Sequence, residues 1–365
     1  MRIAPALAVL VVVLASAQCL HAAPLEAIRD ILRRHLLDPP DEAALAGLSE
    51  DDLQGRLRDI DPYARIISGG EYRTPQGKAD SWIGIGAGLV MRAGGPVLHV
   101  YRGGGAERAG VPDRVRLLEI DGASVREQDA ETIASGLRGE AGSTVRLRVA
   151  LPGGGEKAFT VRREAFSPLD VELVPPGNQR VVRVRDFAGG LTRPAMRATL
   201  DFLARTTISD PSAPLIIDLR DAPGGDLYEA FDLAGLFLPA GTLLGTIRGR
   251  GGYALEIRAP GGDKYSMPLT LLIGPETASS AEIFAGILRQ HDRARLVGQT
   301  TYGKCSSQTD ARLSDGSVLR YTNREVLFPR GDTCTGTGLT PDLAVGDDEL
   351  DMLQRLVERA RALSP

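Results

Sequence analysis

The sequence predicts an α+β multidomain chain on three observations. Apolar residues recur at helical spacing near the N-terminus, alternate over short Gly-punctuated runs in the middle, and form strands alternating with helices from about residue 180. At 365 residues the chain is long enough for two domains and a small third. The composition, 43% apolar and 25% charged, is that of an ordinary globular protein. The net charge of −4 carries no basic stripe, which argues against nucleic acid as a partner.

Residues 1–22 read as a secretory signal peptide. "MRIAPALAVLVVVLASAQCLHA" sets one Arg before a short apolar run and then small residues, too short for a spanning helix. Cleavage is expected after Ala17 or Ala22. Cys19 suggests a lipid anchor, but Gln18 stands where a small residue is wanted, so an unanchored, exported protein is expected, periplasmic rather than secreted. No other stretch is long and apolar enough to span a bilayer. Cleavage after Ala22 leaves Cys305 and Cys334. An even count in an exported chain fits one bridge, against the alternative of two buried thiols.

Residues 24–75 read as a helical segment. "LEAIRDILRRHLL" lines up Leu25, Ile28, Ile31 and Leu32, "DPPDE" breaks it, and "SEDDLQGRLRDID" starts again with acidic residues in its first turn. Residues 82–165 read as a compact β-rich module: strands "VLHVY", "RVRLLEIDG" and "TVRLRVAL", a helix "DAETIASGLRG", and a hairpin in "LPGGGEKAFTVRR". Residues 170–346 read as an α/β core. Its strands are "RVVRVRDF", "APLIIDLRD" and "LTLLIG"; its helices are "RPAMRATLDFLART", "DLYEAFDLAGLFL" and "SAEIFAGILRQ". Such alternation implies parallel strands. Strand-like alternation returns over 316–345, and a C-terminal helix is expected over 347–363 of the closing segment 347–365.

Ligands of α/β sheets bind beyond the carboxyl ends of the strands, and two loops fall there. "LIIDLRD" runs into "APGGDL", where Gly224 and Gly225 can present backbone N–H groups; "LTLLIG" runs into "PETASS", where Ser279 and Ser280 sit at a helix N-terminus. A hydroxyl there, beside Gly-rich N–H donors, has the parts of a nucleophile and an oxyanion hole. On these residues alone the serines read as helix caps and "PGG" as a turn. There is no G-x-S-x-G elbow, no H-E-x-x-H and no paired-cysteine spacing, and "GIGAGL" lacks the third Gly of a dinucleotide fingerprint. Lys304, in "TTYGKCSSQT", is a base only if burial keeps it neutral; alone it reads as a surface lysine. Gln308, four residues on, shares a face with it in either a regular strand or a helix.

These motifs, in this order, resemble the carboxy-terminal (tail-specific) processing proteases, exported Ser–Lys peptidases with an embedded PDZ domain. "DIDPYARII", "AGVPDRVRLLEIDGASV", "LIIDLRDAPGGDLYEAFDLAGLFLPAGT", "ETASSAEIFAGILRQHDRARLVGQTTYGKCSSQT", "LSDGSVLRYT" and "GTGLTPDLAV" carry the likeness, which covers nearly all of 25–345. The resemblance implies a crotonase-like α/β spiral protease core with an inserted PDZ domain and an N-terminal helical segment. It implies Ser279 as nucleophile, Lys304 as general base and Gln308 as the amide orienting it. The backbone N–H of Gly224 or Gly225 and that of Ser280 would form the oxyanion hole. It implies cleavage of unfolded or tail-marked polypeptides, bound in part through the PDZ-like module, with no cofactor and no metal; no signal sets the oligomeric state. Three departures stand out: Cys305 where the family has Gly, Ala222 where it has Asn, and Arg114-Val115 where its PDZ domain has Gly-Asp. A bridge between Cys305 and Cys334 would tie the lysine segment to the closing strands. The competing readings are a non-catalytic peptide-binding scaffold on the same fold, and an acyl-transfer or lyase enzyme on the related crotonase-like fold.

Overall fold

The computed structural model describes residues 22–70, 82–92, 94–151, 153–174, 180–206, 214–261 and 265–362. The expected signal peptide, with Cys19, lies outside the described residues. The chain divides into two compact units: one of residues 1–74, 245–256 and 306–327, the other of 75–244, 257–305 and 328–365.

The first unit packs N-terminal helices on a sheet. Helix Ala22–His35 and helix Leu53–Ile60 form where the apolar spacing predicts them, and a short helix, Glu42–Ala46, lies between, capped by the Asp41 carboxylate on the Ala43 N–H. Their buried faces (Ile28, Leu32, Leu45, Leu57) pack with Leu319 and Tyr321 of the ten-residue strand Val318–Leu327. That strand pairs antiparallel with Arg65–Ile67, with Ser306–Arg312 and with the end of Leu243–Gly249. Asp61, of the "DIDPY" motif, is buried and accepts from the Thr322 N–H at 2.7 Å and its hydroxyl at 3.0 Å.

The second unit holds two large sheets. Residues 87–162 form an antiparallel sheet in the order Ala87–Arg92, Gly95–Val100, Val115–Ile120, Thr144–Ala150, Glu156–Arg162. It has its own core, in which Leu98, Val115, Leu117, Leu147 and Val161 pack with Ile133 of helix Ala130–Leu137. In the other sheet, Val181–Val184, Leu215–Asp218, Leu269–Ile273, Ala294–Gly298 and Leu343–Ala344 run parallel, as the strand–helix alternation predicts, and Val171–Leu173 pairs antiparallel at one edge. The central strands Leu215–Asp218 and Leu269–Ile273 are buried along their whole length, which explains their unbroken apolar runs. Helix Ser280–Gln290 is buried from Ser280 to Leu288, and Gly286 clears the Phe328 ring, which a β-carbon would strike at 2.3 Å.

Two expectations change. The closing helix is two pieces, Asp347–Leu350 and Leu353–Ala362, interrupted where the Asp351 carboxylate is drawn onto two arginines. Alternation over 316–345 gives one long strand and a short one, Leu343–Ala344, with no strand between them.

Candidate active site

Strand Leu269–Ile273 ends at Gly274, and the chain turns through "PETAS" into helix Ser280–Gln290. The turn is tied from inside: the buried Thr277 hydroxyl donates to the Leu219 carbonyl at 2.8 Å and accepts from the Gly274 N–H at 2.9 Å. Ser279 sits at the crest with φ 55° and ψ −122°, a conformation otherwise left to glycine. It is half-buried. The Ser280 N–H opens the helix, where no intrahelical acceptor exists.

The Pro-Gly-Gly loop lies directly against this crest. A β-carbon on Gly224 would come within 2.7 Å of both the Ala278 carbonyl and Ser279 Cβ, so only glycine permits the approach. Gly224 and Gly225 have φ of 99° and 149°. The loop is pinned by the Ala278 N–H on the Ala222 carbonyl (3.0 Å), the Phe187 N–H on the Gly224 carbonyl (3.0 Å) and the Ser280 hydroxyl on the Gly225 carbonyl (3.1 Å). The Ser280 side chain thus joins the two loops.

One residue that the sequence reading passed over organises the site. The Glu282 carboxylate is fully buried. Its Oε2 accepts from the Ser279 N–H at 2.9 Å and the Lys304 N–H at 2.8 Å; its Oε1 accepts from the Gly303 N–H at 2.7 Å and the Thr301 hydroxyl at 2.5 Å. The backbones of the expected nucleophile and the expected base are therefore bonded to the same oxygen atom. The signal was present: Ser279 and Glu282 have the S-x-x-E spacing in which a glutamate reaches back to the N-cap N–H.

Lys304 is half-buried and belongs to neither helix nor strand. On its other side the segment faces the turn 334–339: the Gly336 N–H donates to the Gly303 carbonyl (2.9 Å), the Thr301 N–H to the Leu339 carbonyl (3.2 Å) and the Leu339 N–H to the Thr301 hydroxyl (2.7 Å). Cys305 and Cys334 are bridged, with Cα atoms 5.3 Å apart, and both are fully buried. Closing a loop of this separation, 29 residues, stabilises by about 3.5 kcal/mol in the chain-entropy model.

Gln308 lies on strand Ser306–Arg312, its amide donating to the Ser306 hydroxyl at 3.1 Å and the Thr322 hydroxyl at 3.2 Å. Lys304 precedes that strand, and the register shifts between Ser307 and Gln308. Regular alternation therefore does not put the two residues on one face.

Beneath the Pro-Gly-Gly loop lies a buried ionic cluster. Asp221 takes the Arg114 guanidinium and His99 Nδ1 (3.0 Å). Arg114 also reaches Asp351 at 2.8 Å, and Arg92 joins Asp351 (2.7 Å) to Glu276 of the nucleophile turn (3.0 Å). Asp218 accepts two bonds from Arg220, each 2.8 Å, and one from Arg183 at 3.0 Å. Arg183 continues to Asp113, and Arg185 to Glu172, both at 2.9 Å. Burial opposes ionisation of Asp221 and Asp218, but His99 and Arg114 on the first, and Arg220 and Arg183 on the second, outweigh it and hold both below the usual carboxylate range. Asp351 is likewise held low against its burial by Arg114 and Arg92. Burial lowers the Arg114 guanidinium less than Asp221 and Asp351 raise it. Arg114 has φ 58°, a left-handed backbone that usually favours glycine, yet it carries a buried cation. No local pattern announces this cluster, whose partners come from distant segments.

Residues 180–345 match the model of peptidase family S41. The chain is 27% identical over 307 residues to the "Probable CtpA-like serine protease" of Staphylococcus aureus (strain COL), covering 82% of this chain and 60% of that one. It is 26% identical over 311 residues to the protein of the same name in Staphylococcus haemolyticus (strain JCSC1435), covering 83% and 61%. It thus spans about three fifths of the length of these relatives. The solved structure of a photosystem II D1 C-terminal processing protease has the same mixed α/β fold: TM-score 0.61, 23% identity, 96% of this chain and 99% of that one covered. The segment matched by the family S41 model contains the Pro-Gly-Gly loop, the Ser279 turn and the lysine segment, so the likeness to that family falls on the candidate site itself.

Proposed function

We propose that this chain is an exported serine endopeptidase that cleaves unfolded or tail-marked polypeptides with a Ser279–Lys304 dyad. The observation that carries the reading is the shared anchor: one buried carboxylate oxygen of Glu282 accepts from the backbones of both residues, with Gly224 packed against the serine. The names of the curated relatives support it. Ser279 Oγ attacks the scissile carbonyl, and the neutral Lys304 amine takes its proton. The oxyanion is met by the Ser280 N–H and an N–H of Gly224 or Gly225. Lys304 then protonates the leaving amine, and water, activated by the same amine, releases the acyl group. Gln308 enters this reading as the orienting amide on the family resemblance. In the same reading residues 82–165 are a PDZ-like module that receives polypeptide, the core is a crotonase-like spiral, and the mature protein is periplasmic.

Casein cleavage by the mature chain from pH 5 to 10 tests the reading, with Ser279→Ala and Lys304→Ala beside it. Activity should rise with pH as the lysine loses its proton, and each variant should lose roughly a thousandfold or more. Undiminished cleavage by either variant would refute the dyad. A folded chain that binds casein without cutting it would favour the scaffold reading.

A further inference from the structure

We infer that the Cys305–Cys334 bridge positions Lys304, so that this peptidase becomes competent only after the two thiols have been oxidised; the inference rests on the dyad reading above. Lys304 lies between strand Ala294–Gly298 and strand Ser306–Arg312, outside any ladder or helix; Glu282 and the Tyr302 N–H on the Thr277 carbonyl hold the inner side of its segment, and the turn 334–339 lies on the other side. The turn it faces is equally irregular. Gly303, Gly336 and Gly338 all have positive φ (93°, 79° and 69°), so both sides are built from residues that are costly to order. The approach is close: a β-carbon on Gly338 would lie 2.3 Å from the Thr301 carbonyl. The Gly336 N–H on the Gly303 carbonyl and the Thr301–Leu339 bonds join the two sides, and the bridge closes them covalently at the residue next to the base.

The nucleophile does not share this dependence. Ser279 shares the Glu282 anchor with Lys304 but is held besides by the helix start and the Pro-Gly-Gly loop, neither of which includes a cysteine, whereas Lys304 is flanked by the bridge itself. Loss of the bridge should therefore loosen the base and leave the nucleophile and its oxyanion donors in place. Oxidation removes two electrons and two protons from the thiols. The electron acceptor is a disulfide-bearing oxidant: one protein thiolate attacks its disulfide to give a mixed disulfide and one released thiolate, and the second protein thiolate then attacks the mixed disulfide, closing Cys305–Cys334 and releasing the oxidant's other sulfur. Because both sulfurs are fully buried, the step belongs to folding and acts once, not as a reversible switch on the folded enzyme.

The test compares the oxidised mature chain, the same chain refolded in dithiothreitol, and a Cys305→Ala/Cys334→Ala double variant. Turnover of fluorescein-labelled casein gives kcat and KM. Labelling of Ser279 by a fluorophosphonate reads activation of the nucleophile without a polypeptide substrate, and circular dichroism reports folding. The expected result is a loss of about a hundredfold in kcat and in labelling rate for both bridgeless forms, with KM held within about twofold. Oxidised glutathione should restore the refolded wild type and not the double variant. Full turnover by a folded, bridgeless form would overturn the inference. Should the double variant not fold, Cys305→Val/Cys334→Ala refills the volume. Failure of every bridgeless form to fold would also overturn it, because the bridge would then hold the fold rather than the base. An oxidised wild type inert toward both casein and the fluorophosphonate would instead remove the peptidase reading beneath it.

Discussion

The Ser279 turn and the ionic cluster under Asp221 organise buried charge in opposite ways. At the turn a single carboxylate, Glu282, is balanced by N–H and hydroxyl donors from residues 279, 301, 303 and 304. In the cluster, five arginines and six carboxylates neutralise one another through ion pairs, and His99 bonds to Asp221 beside them. Neutral donors fix one geometry at a short list of backbone atoms. An ion-pair network instead depends on every member staying charged, because removal of one leaves its partner buried and unpaired. The contrast teaches that the first arrangement suits orientation of reacting groups and the second suits holding distant segments together.

The comparison breaks most visibly at Arg114. Arg114→Ala should cost about 3–5 kcal/mol of stability by stranding Asp221 in the interior. Urea denaturation measures this, and kcat of the remaining folded protein should hold within about fivefold, equivalent to about 1 kcal/mol. A well-folded Arg114→Ala chain with abolished turnover would mean that the cluster serves the chemistry directly. Glu282→Gln gives the reverse pattern. The amide replaces one of the two acceptor oxygens with an NH2 donor that faces N–H or O–H donors, and kcat should fall about a hundredfold, roughly 2.7 kcal/mol. The acid limb sharpens the contrast. Asp218, Asp221 and Asp351 titrate below their unfolded values. Their contribution is therefore complete above about pH 4 and is lost as pH falls through that value toward the depressed range. Thermal melts from pH 5 to 2.5 should show the midpoint dropping, and Asp221→Asn should flatten the slope. The smallest effect is expected from Ser280→Ala, which removes one hydroxyl bond to Gly225: about 0.5–1.5 kcal/mol, read by the same denaturation.

Legibility followed locality. Helix Ser280–Gln290 falls on the "SAEIFAGILRQ" segment, and the buried strands around it were readable because each carries its signal within its own residues. The Cys305–Cys334 pairing was expected and is found. Glu282 was overlooked although its spacing from Ser279 was in plain view. The cluster was not legible: Arg92, Arg114, Asp221 and Asp351 become neighbours only through the fold, and the break at Asp351 in an otherwise helical run is a tertiary effect. Arg114 hid a further fact, since an arginine does not announce a left-handed backbone as glycine would.

The backbone of Ser279 has a consequence for anyone who would breed a hardier version of this protein. A non-glycine residue at φ 55°, ψ −122° is strained by an amount on the order of 1–3 kcal/mol. Ser279→Ala retains that strain, whereas Ser279→Gly releases it, less the roughly 0.4–1 kcal/mol lost to a freer unfolded chain. A library sorted by heat resistance alone would therefore drift to glycine at this position and enrich sturdy, inert descendants, so thermal screens need turnover as a second gate.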